Sequence, residues 1–90
     1  MGGLSSFSAP YLGSIALKGA ISSTHVNKDH IEEVYFGNVL AAGLGQAADR
    51  QVVLGAELDK KVVSTTINKV CASGMKAVML AASSIRLGDR

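Results

Sequence analysis

The chain has 90 residues, 48% of them hydrophobic and only 4% aromatic, with a formal net charge of +2. That length allows at most one small domain, and the composition excludes a core built on large rings. The charge forms no basic patch beside an aromatic platform, which argues against nucleic acid, and no apolar run approaches the roughly 20 residues of a membrane span.

Residues 1–9 are small and polar, as in a loop, although Met1 to Ser6 also formally fit a myristoylation pattern. Pro10 suits the first turn of a helix running to about Ser22. Thr24 to Glu33 is a polar connection with room for a short helical turn over 27–33. Val34 to Leu40 reads as a strand, rich in β-branched and aromatic residues. Ala41 to Gln46 is a glycine-containing turn, and Ala47 to about Leu58 reads as a second helix. Asp59-Lys60-Lys61 is a solvated turn before a second strand, Val62 to Val70. Cys71 to Leu87 reads as a third helix, stopped by Gly88.

Helix, strand, helix, strand, helix in this order predicts an α/β fold with parallel strands and right-handed crossovers. A sheet of two parallel strands does not stand alone, so further strands are expected outside these residues. The third helix points the same way. Met75, Val78, Met79, Ala82 and Ile85 share a face, other apolar residues spread around it, and Lys76 is the only charge between Cys71 and Ile85. A helix apolar nearly all round is buried on most sides. The mean hydropathy of +0.29 is high for so small a soluble domain.

Cys71 is the single cysteine, which excludes an internal disulfide framework and fits a reducing compartment, with the cytosol as the default. A strand feeding into a helix places it near a helix N-terminus, at the carboxyl edge of a parallel sheet, where open α/β sheets bind ligands. Unpaired N–H groups and the positive helix end favour a thiolate, which can attack a thioester while nearby N–H groups receive the oxyanion. The other reading of these residues is a buried, inert cysteine.

Asn68 to Ala77, reading Asn-Lys-Val-Cys-Ala-Ser-Gly-Met-Lys-Ala, resembles the segment that carries the acylated cysteine in thiolases. Gly37 to Leu40, Gly43 to Gln46 and Arg50-Gln51 resemble the strand, loop and helix upstream of it, and Leu12 to Ala20 the first helix of that family. Gly2 to Ser6 then resemble the end of the loop before that helix rather than a lipidation signal. The resemblance implies that 1–90 is part of a thiolase N-terminal domain within a five-layered αβαβα fold. The first strand and everything after the nucleophile helix are expected to lie outside it. The implied reaction is acetyl transfer between coenzyme A thioesters through an acyl-Cys71 intermediate, forming or cleaving acetoacetyl-CoA. A homo-oligomer is implied for the complete enzyme, and no cofactor is expected on this segment. The alternative is a catalytically inactive, truncated thiolase fragment.

Some residues depart from the family pattern: many thiolases have proline near Ala48, and glycine and proline near Glu57 and Asp59. The later Gly-His-Pro and Cys-x-Gly-Gly-Gly segments, which carry the family's histidine and second cysteine, are not among these residues. His25 and His30 precede the first strand, at the edge opposite Cys71, and are expected to be exposed loop residues. Gly43 to Ala48 formally matches a G-x-G-x-x-A dinucleotide fingerprint, but the acidic residue expected about 20 positions on is replaced by Val62, Val63 and Ser64. A tight turn between strand and helix is the simpler expectation. Glu32, Glu33, Asp49 and Glu57 show no metal-binding spacing.

Overall fold

A computed structural model describes residues 2–90; the start of the lipidation-like pattern, Met1, lies outside them. The elements are α1 (Ala9–Thr24), a 3-10 turn (Lys28–His30), β1 (Glu33–Gly37), α2 (Ala48–Gly55), β2 (Val63–Ile67) and α3 (Ser73–Arg86). The strands pair in parallel, from Glu33 against Val63 to Gly37 against Ile67. The expected order and parallel pairing are therefore present; α1 runs slightly longer than the sequence suggested, and the strands, α2 and α3 are shorter.

Side chains alternate across a strand, and the alternation shows what covers each face. Val34 packs against the cluster of Val53, Ala56, Leu58 and Val62, together with Leu17, Ile21 and Ile31. Thr66 bonds to Asp49 on α2. From the other face Tyr35 Oη lies 2.8 Å from Ser84 Oγ on α3. Helices α1 and α2 thus cover one face and α3 the other.

Close packing explains the small residues. A Cβ on Gly13 would come within 2.6 Å of Phe36 Cζ and 2.8 Å of Val52, so this glycine lets α1 settle on α2 and β1. A Cβ on Gly37 would lie 2.7 Å from both Gly74 N and Ser73 C, so β1 backs directly onto the first turn of α3. Ser8 caps α1 by accepting the Tyr11 N–H at 3.3 Å, and the rings of Phe7 and Tyr11 stack at 5.2 Å.

The ends of α2 and α3 share one solution. After α3, Gly88 takes a left-handed backbone (φ 77°) while its N–H bonds Ile85 O and the Asp89 N–H bonds Ser84 O. After α2, Glu57 takes the same backbone (φ 62°), its N–H bonds Leu54 O, and the Leu58 N–H bonds Val53 O. Both are Schellman motifs, completed at α2 by the Leu58–Val53 apolar contact. This motif ends α2 at Gly55, short of the expected Leu58.

The exposed side of α3 carries Met75, Val78, Met79 and Ile85. Only Ser73 and Ala77 are buried on this helix. The stretch Val70–Leu87 has a mean hydropathy of 1.3 and is by length and composition long and apolar enough to cross a membrane. This departs from the expectation that no apolar run approaches that length; serines and Lys76 punctuate the stretch without lowering its mean below that level. Core helices of soluble proteins pass the same test.

Candidate functional site

Strand β2 does not feed directly into α3. It ends at Ile67, and residues 68–72 form an elbow before Ser73 opens the helix. Val70 causes the break: its backbone is left-handed (φ 50°), a region that a β-branched residue rarely adopts. Its N–H is taken by Asn68 Oδ1 at 3.1 Å instead of a neighbouring strand. Its carbonyl accepts from Ser73 Oγ at 2.7 Å and from the Ser73 N–H at 3.2 Å. Ser73 Oγ also accepts the Lys69 N–H at 2.9 Å. Asn68 Nδ2 reaches toward Val39 O at 3.5 Å, linking the elbow to the segment after β1.

Cys71 sits on this elbow, exposed, immediately before Ala72 and the first turn of α3. In this segment the thiol is exposed, not buried as the competing reading expects. The first N–H groups of a helix have no intrahelical carbonyl to bond. Space around Gly74 is open, with no atom within 4 Å of where a Cβ would stand. The elbow thus offers a thiol, small neighbours and a helix N-terminus at the carboxyl edge of the sheet.

The structure keeps the histidines away. His30 precedes β1 and His25 ends α1 in a left-handed turn (φ 57°), both exposed. In a parallel sheet these positions lie at the amino edge, a strand length from Cys71. A surface cavity of about 590 Å³ also opens there, lined by Lys28, Asp29, Glu32, Asp59, Lys61 and Arg90 among others. Cys71 does not line it. Glu33 pairs with Arg90 at 2.8 Å, and Glu57 lies 3.6 Å from Lys18 Nζ.

The fingerprint-like segment is an irregular loop. Gly43 (φ 76°) and Gly45 (φ 80°) are left-handed. Gln51 Nε2 fastens the loop by donating to Leu44 O at 2.6 Å and Gln46 O at 3.0 Å. Ala47 is also left-handed (φ 49°) and gives α2 no side-chain cap.

Two polar residues matter more than their sequence spacing suggested. Ser73 is only 5% exposed, and its hydroxyl ties the elbow together. Asp49 is 4% exposed; its N–H donates to Thr66 Oγ1 at 3.1 Å, and Thr66 Oγ1 donates back to its carboxylate. Burial alone would raise the Asp49 carboxyl. Hydrogen bonds from Ser64, Thr66 and the Arg50 and Asp49 N–H groups outweigh it and hold the group below its usual value. Arg50 alongside donates to Val62 O at 2.7 Å and to Lys60 O, tying α2 to the segment before β2.

A family model described as the thiolase N-terminal domain matches residues 1–90. The chain belongs to the thiolase family. Acetyl-CoA acetyltransferase 1 of Arabidopsis thaliana is 58% identical over 88 residues, covering 98% of this chain and 21% of the relative. The cytosolic acetyl-CoA acetyltransferase of Gibberella zeae is 51% identical over 88 residues, covering 98% and 22%. A mitochondrial acetyl-CoA acetyltransferase of Xenopus tropicalis is 56% identical over 89 residues, covering 99% and 21%. The chain thus spans about a fifth of the length of the curated relatives it matches. Their names place thiolases in two compartments, so relatedness alone does not select the cytosol. A crystal structure of a thiolase from Ascaris suum in complex with coenzyme A superposes with a TM-score of 0.95 at 44% identity, covering 99% of this chain and 23% of that one. The architecture described above is an α/β part of the thiolase fold.

Proposed function

We propose that this chain is the nucleophile-bearing part of a thiolase N-terminal domain, and that Cys71 accepts the acetyl group in an acetyl-CoA C-acetyltransferase. The observation that carries the reading is the exposed Cys71 on a left-handed elbow before α3, in a chain matched to the thiolase family along its whole length. In the condensing direction the Cys71 thiolate attacks the carbonyl carbon of acetyl-CoA. A C–S bond to Cys71 forms, the tetrahedral oxyanion collapses, and the coenzyme A thiolate leaves and takes up a proton. A second acetyl-CoA, deprotonated at its methyl carbon, then attacks the acetyl-Cys71 carbonyl, giving acetoacetyl-CoA and returning the Cys71 thiolate. Thiolysis is the reverse. The Lys69, Val70 and Ala72 N–H groups are bonded within the elbow, which leaves the Cys71 N–H as the elbow donor suited to the oxyanion. Bases that move the protons belong to segments beyond these residues. The names of the relatives and the coenzyme A complex of the Ascaris thiolase support acetyl-CoA, acetoacetyl-CoA and coenzyme A as substrates. A homo-oligomer is proposed for the complete enzyme.

The alternative, that residues 1–90 on their own are catalytically inactive, is compatible with this role and rests on the histidine and second cysteine that the family carries in segments not among these residues. Both parts are tested by placing residues 1–90 in Arabidopsis acetyl-CoA acetyltransferase 1 in place of the matching segment. With acetyl-CoA the chimera is expected to gain one acetyl group by intact mass, and to gain none as Cys71→Ala or Cys71→Ser. Turnover should fall on the order of a million-fold in Cys71→Ala, the scale at which a lost nucleophile is felt. An adduct persisting in Cys71→Ala, or thiolysis by the isolated segment, would overturn the corresponding part.

A further inference from the structure

We propose that Ser73, assisted by Asn68, is a positioning residue for Cys71: together they hold Val70 in the left-handed backbone that turns the thiol outward. The proposal rests on Cys71 being the acyl acceptor.

Valine does not favour this backbone, because its branched Cβ crowds the neighbouring peptide groups. A residue so placed persists only where its surroundings over-determine it. Here they do so from both sides. Asn68 Oδ1 holds the Val70 N–H at 3.1 Å, and Ser73 Oγ holds the Val70 carbonyl at 2.7 Å. By accepting the Lys69 N–H at 2.9 Å, the same hydroxyl also fixes the preceding residue. One buried oxygen therefore spans the peptide groups on either side of the bend.

The direction of this hydroxyl separates positioning from ordinary helix capping. Ser8 accepts an N–H of its own helix. Ser73 instead faces backward into the elbow, and α3 has no side-chain cap at all. The clamp is also anchored. A Cβ on Gly37 would lie 2.7 Å from Ser73 C and 2.9 Å from Ser73 O, so β1 stands directly behind it. Its anchored side faces the sheet, while Val70 and Cys71 face solvent.

The test uses the chimera with Arabidopsis acetyl-CoA acetyltransferase 1. Ser73→Ala is expected to lower kcat by about 10- to 100-fold with KM little changed, the scale of a small misplacement of a reacting group. Ser73→Thr, which keeps the hydroxyl, should recover most of the loss. The effect of Ser73→Ala should shrink in a Val70→Gly background, because glycine adopts the left-handed backbone without a clamp. Asn68 is exposed, so its variants keep the test open if the buried serine cannot be replaced. Asn68→Ala should slow turnover, and Asn68→Asp, which keeps the acceptor, should slow it less. Unchanged kcat in Ser73→Ala, or in Asn68→Ala where the serine variants do not fold, overturns the proposal. Equal losses with valine or glycine at position 70 also overturn it. If Cys71→Ala still carries the acetyl group, it is the nucleophile assignment that fails.

Discussion

Glu57 and Gly88 occupy the same place in the same motif, one after α2 and the other after α3. A left-handed backbone costs a residue with a Cβ roughly 1–2 kcal/mol, and glycine returns about half of that as lost freedom on folding. The Lys18 pair opposite Glu57 is exposed at 3.6 Å and adds little. Glu57→Gly is therefore expected to stabilise the protein by about 0.5–1 kcal/mol, read as a higher urea midpoint at unchanged slope. Asp49 gives the opposite case. Its carboxyl titrates lower in the folded protein than in the unfolded chain. Its stabilisation is therefore complete above the unfolded value near 3.8 and is lost as pH falls through the folded one. Urea midpoints at pH 6 and pH 3 should differ less in Asp49→Asn than in the parent. Asp49→Ala, which strands the Thr66 hydroxyl, should cost about 1–3 kcal/mol at pH 6.

Among the elements, the junction of β1 with α3 tolerates least. Alanine at Gly37 meets backbone atoms of Ser73 and Gly74, whereas alanine at Gly13 meets the side chains of Phe36 and Val52, which can rotate or shift. Gly37→Ala should therefore cost more than Gly13→Ala, on the order of 1–3 kcal/mol. The smaller loss at Gly13 is further offset by the better helix propensity of alanine. A thermal melt of the two variants orders them. The element types were legible in the sequence because they rest on Pro10, on β-branched runs and on the glycine after α3. Their ends were not. Asn38 leaves β1 after one last bond to Ile67 O at 3.0 Å, and Val70 reads as a good strand residue until Asn68 captures its N–H. Cys71 could be picked out from its motif. Ser73 could not, because its part depends on a left-handed valine that residue preference argues against. Asp49 was missed because its partners, Ser64 and Thr66, lie across the α2–β2 turn.

At the scale of the whole molecule, α3 has more apolar surface than two strands can cover. Met75, Val78, Met79, Ile85 and Leu87 are each more than half exposed. In a complete thiolase this face is expected to lie against layers contributed by the remaining chain. Alone, the 90-residue segment should self-associate rather than run as a monomer on size exclusion; a sharp monomer peak with a dispersed amide spectrum would contradict this. The parallel pairing also sets an order of events during synthesis. Each residue of β1 meets a partner thirty positions later, from Glu33 with Val63 to Gly37 with Ile67. No ladder bond can form until that long loop closes. On the ribosome, the edge of β1 that receives β2 therefore stays bare until Ile67 has cleared the exit tunnel. Translation of this stretch is an interval in which that waiting edge is open to wrong pairing.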